Sequence, residues 1–460
     1  MRRTPKRQTL PFFLIFLVCV VLGVPQQPSA APQNPPQWAG DRSKRKYVEG
    51  QLLVRFRTAE KGVQAATHQQ FRATPKKEFP LIPNLQLVEL PADWSVERAV
   101  AAYRQNPAVL YAEPDYIYQA SQQTTPNDPL FPQLWGLHNT GQTGFIPDAD
   151  IDAPEAWAIT TGSSNVVVGV IDTGIDYAHP DLMANMFHNT LDYNSNGVDD
   201  DGNGFVDDCF GIDTVNGDSD PMDDHGHGTH VAGTIGAAGN NGIGVVGVNW
   251  NVRMMACKFL DADGFGSTSG AITCLQYFAT MHDRGVNLVA TNNSWGGGGF
   301  SFALRDAIDE HSQRGILFVA AAGNFGINND ALPFYPSSYF LPNVISVGAS
   351  ERNDFLADFT NYGEWSVHLV APGVEILSTL PGNAYGTLSG TSMASPHVTG
   401  VAALLKAQDP NRDWKTIKNL LLTGGDSVPA GTNNLLITRR RLNARGSMTC
   451  ANTTVLARLL

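Results

Sequence analysis

An apolar, β-branched segment has the sequence Val166-Val167-Val168-Gly169-Val170-Ile171 and is followed at once by Asp172-Thr173-Gly174. Such a run predicts a buried strand. Comparable runs alternate with helical stretches further along the chain, at Val252–Lys258, Val286–Asn292, Ile316–Ala321 and Val344–Val347. This alternation is typical of a parallel sheet with helices on both faces, so the sequence predicts an α/β, doubly wound, mostly parallel fold.

Three polar side chains stand in distinctive surroundings on this framework. Asp172 ends the first strand, His227 lies in His225-Gly226-His227-Gly228-Thr229-His230, and Ser392 lies in Gly390-Thr391-Ser392-Met393-Ala394-Ser395-Pro396-His397. A serine hydroxyl is a weak nucleophile at neutral pH and needs a base within hydrogen-bond reach. The apolar run from Met393 to Leu405 predicts a helix that begins at Ser392, where free backbone N–H groups favour a developing oxyanion.

Asp, His and Ser in this order, each within its own signature, resemble the subtilisin-like serine endopeptidases from about Asn127 to about Ala444. The resemblance implies a subtilisin-like fold, with Asp172 orienting His227 and His227 taking the proton of Ser392 as an acyl-enzyme forms. The three histidines also suggest a metal site. We disfavour it because no glutamate base follows at the spacing of a zinc peptidase.

The same resemblance assigns further parts of the site. It makes Asn324, at the end of Ala320-Ala321-Ala322-Gly323-Asn324, an oxyanion donor beside the backbone N–H of Ser392. Peptide substrate would pair as an added strand between two segments, which implies a broad-specificity endopeptidase whose S1 pocket accepts apolar or medium side chains. The expected substrate-binding residues are Ser294, Trp295, Gly296, Ala321 and Gly323, and Phe325 and Phe334 are candidates for lining the pocket.

The N-terminus has the pattern of a secretory signal. Basic residues precede an apolar stretch, Pro11 to Val24, that is short for a membrane span, and small residues follow at Ser29, Ala30 and Ala31. We therefore expect a signal peptide at residues 1–31 and a secreted protein. An uncleaved anchor is the alternative, and Val18 before Cys19 argues against a lipoprotein.

A disordered linker is expected at residues 32–46, followed by a small module at residues 47–120. Strand patterns at Gln51–Phe56, Leu85–Leu90 and Val109–Tyr116 surround a helical pattern at Val96–Arg104. This order resembles the ferredoxin-like α+β propeptide of subtilisins, which implies a folding chaperone and intramolecular inhibitor whose C-terminal tail occupies the cleft. Self-cleavage is expected close to Ala120, and an accessory domain is the alternative.

Charge divides the chain. Residues 1–118 hold 16 basic and 9 acidic residues, whereas the remainder holds 15 and 34. A strongly acidic body argues against nucleic acid as a partner and favours bound cations. It also predicts attraction between the basic leader and the acidic body.

One acidic loop, Asp199-Asp200-Asp201-Gly202-Asn203-Gly204-Phe205-Val206-Asp207-Asp208, opens like a calcium-binding EF-hand loop. Its twelfth position holds Phe210 instead of a bidentate glutamate, for which Asp207 or Asp208 would compensate. Calcium would relieve the repulsion among these carboxylates; a solvated acidic loop is the alternative. The expected ligands are Asp199, Asp201, Asn203 and Asp207.

The resemblance implies further structural calcium sites, two or three in all. One would use Asp128, Asp181 and Asn241 with backbone carbonyls that include Ile243 and Val245, and a weaker one would use Asp213, Asp218 and Asp220. Calcium at these sites would stabilise loops by binding the folded state and would do no chemistry.

The catalytic domain is expected at residues 121–448, with a C-terminal stub or the start of a truncated extension at residues 449–460. Cys209, Cys257, Cys274 and Cys450 remain after signal removal; a Cys257–Cys274 disulfide is plausible, free buried thiols are the alternative, and sequence alone does not settle the pairing. We expect a monomer that acts on proteins and peptides, with no membrane contact beyond the signal peptide.

Three rival functions fit less well. A pseudo-protease would lack a catalytic residue, and all four catalytic positions are filled. A peptide ligase would be expected to carry a lid domain, and none is visible. A Ser-Glu-Asp acid peptidase is disfavoured because His227 occupies the position of the base.

Overall fold

The computed structural model describes residues 47–117, 124–142, 144–429 and 435–450. The chain forms two compact units, divided between Ala120 and Ser121. The signal peptide, the linker, the expected cleavage region near Ala120 and residues 451–460 lie outside the described residues. None of the helices in the described part is long and apolar enough to cross a membrane.

The N-terminal unit is a four-stranded antiparallel sheet in the order β2-β3-β1-β4, with two helices between its strands. This topology confirms the predicted ferredoxin-like α+β arrangement. Its elements are β1 (Tyr47–Phe56), α1 (Lys61–Gln70), β2 (Thr74–Glu78), β3 (Leu85–Glu89), α2 (Val96–Gln105) and β4 (Val109–Tyr116).

The sequence did not reveal α1 and β2, and both omissions have a physical reason. The residues that α1 buries are Gln64, Thr67 and His68, which form no apolar stripe. Polar partners satisfy the hydrogen-bonding groups of these residues; for example, His68 Nε2 lies 2.6 Å from Gln86 Oε1. Strand β2, Thr74–Glu78, is an edge strand with all five residues exposed, so it lacks alternation between apolar and polar residues.

The C-terminal unit contains a nine-stranded sheet in the order β14-β15-β11-β10-β9-β8-β5-β7-β6, and all its pairings except β14–β15 are parallel. This sheet confirms the predicted fold class. Its strands are β5 (Gly162–Asp172), β6 (Gly211–Asp213), β7 (Asn251–Lys258), β8 (Leu288–Asn293), β9 (Leu317–Ala321), β10 (Val344–Ser350), β11 (Leu369–Pro372), β14 (Asp426–Ser427) and β15 (Arg440–Arg441). A separate hairpin is formed by β12 (Ile376–Leu380) and β13 (Ala384–Leu388).

Helices cover both faces of this sheet. They are α3 (Ala153–Trp157), α4 (His227–Gly236), α5 (Thr268–Asp283), α6 (Phe302–Gln313), α7 (Thr391–Gln408), α8 (Trp414–Thr423) and α9 (Ala444–Thr449). Alternate residues of β5 enter different cores: Val168 and Val170 pack with α4 and α7, whereas Val167 and Ile171 pack with α5 and α6. A strand buried on both faces explains the continuous apolar run in the sequence.

A disulfide joins Cys257 in β7 to Cys274 in α5, a pairing that the sequence left open. Both residues are fully buried, and the bond ties the sheet to the helix layer that contains α5 and α6. Cys209 and Cys450 are free thiols, each half-buried.

Strand β5 lies between β7 and β8, where the strand order changes direction. Ligands of open α/β sheets bind outside the carboxyl ends of the strands at such a point. Asp172, Lys258 and Asn293 are the last residues of β5, β7 and β8, so this edge of the sheet collects polar groups from distant parts of the chain.

Candidate active site

A cleft of about 1070 Å³ opens at this edge of the C-terminal unit. Its walls include His227, Ser392 and Asn324. All five residues expected to bind substrate also line it, namely Ser294, Trp295, Gly296, Ala321 and Gly323. The fold therefore gathers these sequence-predicted residues at one cavity, with Asp172 directly behind His227.

Asp172 is fully buried and contacts the imidazole of His227. His227 Nδ1 lies 2.7 Å from Asp172 Oδ1, which also accepts a hydrogen bond from the backbone N–H of Thr173 at 2.8 Å. Because a carboxylate can only accept here, Nδ1 carries the proton and Nε2 is left as the basic nitrogen. This tautomer is the one that a general base requires.

Asp223 fixes the segment that presents His227, and sequence reasoning did not single it out. Its carboxylate accepts hydrogen bonds from the N–H groups of His225, Gly226 and Thr229 and from the Thr229 hydroxyl, at 2.6–3.0 Å. It also accepts from the Thr173 hydroxyl at 2.8 Å, which links it to the end of β5. A carboxylate at a helix N-terminus satisfies otherwise free N–H groups. The position of Asp223 shortly before the first residue of α4 is the feature of the sequence that could have identified it as a capping residue.

Gly228 allows helix α4 to approach β5 closely. A methyl group added there would lie 2.1 Å from the carbonyl oxygen of Gly174 and 3.1 Å from Asp172 Cβ. The backbone N–H of Gly228 donates to the Thr173 hydroxyl at 2.9 Å. A larger residue would therefore push His227 away from Asp172.

The pKa of His227 is set by opposing effects. Burial of the ring lowers the pKa, whereas the negative charge of Asp172, its hydrogen bond to the ring and the charge of Asp223 raise it. The net result is a pKa above the ordinary value of 6.5. An imidazole of raised pKa is a stronger base once it is deprotonated.

Ser392 lies in the first turn of α7. Its Oγ donates to the carbonyl oxygen of Ser294 at 3.0 Å, and the Ser294 hydroxyl donates to the carbonyl oxygen of Ser392 at 2.8 Å. Within the described structure no hydrogen bond joins Ser392 Oγ to His227. Catalytic hydrogen bonds are often long or absent without substrate, and the two side chains share one cleft.

The side-chain amide of Asn324 is oriented by the residue before the serine. Asn324 Oδ1 accepts from the N–H of Thr391 at 2.8 Å and from its hydroxyl at 2.9 Å. These two hydrogen bonds fix the orientation of the amide. The N–H groups of Asn324 Nδ2 can therefore donate to a ligand in the cleft that Asn324 lines. This arrangement suits stabilisation of an oxyanion.

A phenyl ring narrows the part of the cleft beside Ser392. A methyl group added at Gly296 would lie 2.2 Å from Phe334 Cε1, and one added at Gly323 would lie 3.1 Å from Phe334 Cδ1. The ring therefore touches both segments between which substrate is expected to bind. Phe325 packs against it with ring centroids 5.9 Å apart.

The other histidines of the two motifs have structural partners. His230 is fully buried, with Nε2 2.9 Å from the carbonyl oxygen of Ile376, and His397 Nδ1 lies 2.9 Å from the carbonyl oxygen of Met393. His225 lines the cleft.

The acidic loop brings three carboxylates together, and one of them was not predicted. Ligand atoms of Asp192, Asp199 and Asp201 lie within 4.8 Å of one another. Asp192 is fully buried, and its Oδ1 has no hydrogen-bond partner among the described residues. Three carboxylates this close together, one of them with an unpartnered buried oxygen, are ligands of the kind that a hard cation binds. Arg284 offsets part of their charge, since its guanidinium lies 2.9 Å from Asp201 Oδ1.

The other predicted members of this site have different partners. The carboxylate of Asp207 accepts from the N–H groups of Asn196 and Gly197 at 2.9 and 2.7 Å. The amide Nδ2 of Asn203 donates to Asp208 Oδ2 at 3.0 Å. The three-carboxylate cluster thus contains Asp192 with Asp199 and Asp201, and it does not include Asp207 or Asp208.

The residues of the second predicted calcium site also lie close together. Asp128 and Asp181 are both buried, and Asn241 contacts both, with its N–H 3.4 Å from Asp128 Oδ1 and its Nδ2 2.8 Å from Asp181 Oδ1. The N–H of Val245 donates to Asp181 Oδ2 at 2.9 Å, and that of Ile243 donates to Asn241 Oδ1 at 2.9 Å. Two buried acids in one loop cluster fit a divalent cation.

The carboxylates of the third predicted set also accept hydrogen bonds from nearby groups. Asp213 accepts from the N–H groups of Val215 and Asn216 and from the Asn216 amide at 2.7–3.1 Å, and Asp220 accepts from the Tyr177 hydroxyl at 2.9 Å. Asp213, Asp218 and Asp220 line a second cavity of about 1080 Å³.

Comparison with known proteins gives two profile matches. Residues 163–436 match the Subtilase family, and residues 33–115 match the fervidolysin N-terminal prodomain.

Individual relatives agree with these matches. The chain is 38% identical over 370 residues to a thermophilic serine proteinase of Bacillus sp. (strain AK1), covering 79% of this chain and 80% of that protein. It is 36% identical over 358 residues to an alkaline protease of Alkalihalobacillus alcalophilus, covering 78% and 77%. A crystal structure of a cold-adapted subtilisin-like serine proteinase superposes with a TM-score of 0.52 at 30% identity, covering 67% of this chain and 97% of that one.

Proposed function

Because this chain belongs to the subtilase family of serine peptidases, with an N-terminal prodomain, we propose that it is a secreted, calcium-stabilised endopeptidase of broad specificity made as a self-processing precursor. The observation that carries the proposal is the Asp172–His227 pair on one side of a cleft that Ser392 and Asn324 also line. A bound peptide would meet a nucleophile, a base and an oxyanion donor together.

The chemistry follows from these positions. Ser392 Oγ attacks the scissile carbonyl, its proton passes to His227 Nε2, and Asp172 stabilises the imidazolium that forms. The Asn324 amide and the Ser392 N–H receive the negative charge on the carbonyl oxygen. His227 then returns the proton to the leaving amine, and water repeats the sequence on the acyl-enzyme.

Substrate recognition rests on backbone pairing. Gly296 and Gly323 belong to the two cleft segments, and neither carries a side chain that would select a sequence. Main-chain hydrogen bonds give affinity with little sequence demand, which supports cleavage at many sites in protein substrates. The position of the Phe334 ring supports an S1 pocket that accepts apolar side chains of no more than medium size.

The prodomain would act as chaperone and inhibitor of its own catalytic domain. The match of residues 33–115 to a prodomain supports this role, as does the opposite charge of the two parts of the chain. The proposed domain limits remain 47–120 for the propeptide and 121–448 for the catalytic domain, with cleavage near Ala120.

Export is supported by the signal-like N-terminus and by the buried Cys257–Cys274 disulfide, since disulfides are typical of proteins in oxidising compartments. We further propose that the mature enzyme is a monomer without nucleic-acid partners. The acidic composition of the chain after residue 118 supports the latter point.

Calcium would bind at two places. Asp192, Asp199 and Asp201 would hold one ion, and Asp128 and Asp181 with Asn241 would hold another. The ion would offset repulsion between carboxylates in the folded state and so raise its stability. The Asp213, Asp218 and Asp220 set stays a weaker prediction because Asp218 and Asp220 are exposed, whereas Asp128 and Asp181 are both buried.

The test compares wild-type precursor with Ser392→Ala, each made without any other protease, by intact mass and casein hydrolysis. Wild type should lose about the first 120 residues and cleave casein, whereas Ser392→Ala should do neither. Mature-sized Ser392→Ala protein would refute self-processing. Wild type that keeps its full length and leaves casein intact would refute the proposed self-processing peptidase.

A further inference from the structure

Lys258 is a buried lysine at the carboxyl end of β7, and the chemistry proposed above does not use it. Only 1% of the residue is exposed. Its Nζ donates to the carbonyl oxygens of Thr173 and Leu260, both at 2.9 Å, and to Asp224 Oδ1 at 2.6 Å. An ammonium group has three protons, so all three are used.

The three acceptors lie on three different parts of the site. Thr173 follows Asp172, which holds the imidazole. Asp224 lies between Asp223, which caps α4, and the His225–His227 segment. Leu260 belongs to the chain segment that forms a wall of the cleft and continues through Phe265 to Ser267.

The backbone adds a second link between the same segments. Asp172 and Lys258 are register partners in the parallel pairing of β5 with β7. The carbonyl oxygen of Asp172 accepts from the N–H groups of Phe259 and Leu260 at 3.0 and 3.2 Å. The backbone therefore couples the position of Lys258 to that of Asp172 and to the segment that forms the cleft wall.

Burying an ammonium group is unfavourable unless each proton is paired, and an apolar side chain of similar size could often fill such a place at lower cost. Asp224 has a half-exposed side chain and compensates the charge only in part. The ammonium group therefore does more than fill space, because it holds one carboxylate and two carbonyl oxygens around Lys258 Nζ.

We propose that Lys258 is a positioning residue that sets the spacing between Asp172, His227 and the substrate-binding wall of the cleft. It touches no reacting atom and acts through Thr173, Asp224 and Leu260. This inference rests on the proposed triad of Asp172, His227 and Ser392.

The test uses Lys258→Met, which keeps the length of the side chain and removes its charge and donors. The matched control is Lys418→Met, because Lys418 is an equally buried lysine in α8 whose Nζ donates to the carbonyl oxygens of Pro342 and Val344 at 2.8 and 3.0 Å. Lys418 does not line the cleft. Both variants lose a buried ammonium group, and only one loses the link between the catalytic segments.

Three quantities are measured on the mature protein obtained by processing of the full-length precursor: the rate of Ser392 labelling by a fluorophosphonate, kcat and KM for a tetrapeptide anilide, and the melting temperature. Displacements of about 1 Å in a reacting constellation can cost roughly a hundredfold in rate. Lys258→Met should lower the labelling rate and kcat by about ten- to hundredfold. Lys418→Met should lower the melting temperature with its labelling rate within about twofold of wild type.

Equal labelling rates in both variants, with both less stable, would overturn the inference and leave Lys258 a purely structural residue. Should Lys258→Met not fold, Asp224→Ala decides, because it removes one half-exposed partner: a labelling rate about threefold or more below wild type is expected, and an unchanged rate overturns the inference. Absence of labelling in wild type refutes the proposed triad itself, so the two failures are distinct.

Discussion

Asp172 Oδ1 and His227 Nδ1 lie 2.7 Å apart across the junction between the end of β5 and the start of α4. Fifty-five positions of chain separate the two residues, and Asp223, Thr173 and Gly228 hold the junction together. The pair determines both the tautomer of His227 and its affinity for a proton, and its consequences can be measured.

The pH dependence of hydrolysis should reflect His227. Only the neutral imidazole accepts the Ser392 proton, and the charges of Asp172 and Asp223 raise its pKa above 6.5. The acidic limb of kcat/KM should therefore lie above pH 6.5. Asp172→Asn removes the main raising cause and leaves burial, which lowers the pKa, so the limb should move to lower pH while kcat falls about 10⁴-fold. A limb that stays in place would show that another group titrates.

The same pair links pH to stability. A folded-state pKa above the unfolded value means that the native state binds this proton more tightly. The stabilisation from the ion pair is therefore complete below about pH 6.5 and is lost as pH rises through the higher native pKa of His227. In Asp172→Asn, the free energy of unfolding measured at pH values on both sides of the His227 pKa should lack this pH-dependent contribution.

Loss of the Asn324 amide should affect turnover more than binding. In Asn324→Ala, kcat should fall by about 10²–10³ because one oxyanion donor is removed, and KM should change little. Steady-state kinetics on a peptide anilide check this split. A large rise in KM with unchanged kcat would instead assign Asn324 to ground-state binding.

The size of the S1 pocket should depend on Phe334. The ring fills space between Gly296 and Gly323, so Phe334→Gly should raise the ratio of kcat/KM for phenylalanine over alanine at P1 by about tenfold or more. Phe340→Ala is the control, since Phe340 is 97% exposed and does not line the cleft. An unchanged ratio would mean that the pocket does not reach the ring.

Calcium at the acidic loop should depend on Asp192. Added calcium should raise the melting temperature of wild type, and Asp192→Asn should need about tenfold more calcium for the same increase because a buried ligand oxygen has lost its charge. Asp306→Asn, on the exposed face of α6, should behave as wild type does. Identical calcium titrations of both variants would contradict a site at Asp192.

The sheet and its helices could be predicted because their signal is local. The runs at Val166–Ile171 and Val344–Val347 are apolar along their whole length, and strands buried on both faces produce that pattern wherever they occur. Helix α1 and strand β2 could not be predicted. The helix buries polar residues that only long-range partners such as Gln86 satisfy, and the strand is entirely exposed.

The candidate site divides in the same way. The motifs around Asp172, His227, Ser392 and Asn324 are local in sequence, at a strand end or near a helix start, so the sequence and its resemblance to a known family were enough to predict these residues and their roles. Asp192, Asp223 and Lys258 carry no motif. Their roles arise from hydrogen bonds or proximity to residues distant in sequence, and only the tertiary structure decided which buried charges share a pocket, because such contacts depend on how strands are ordered in the sheet rather than on spacing along the chain.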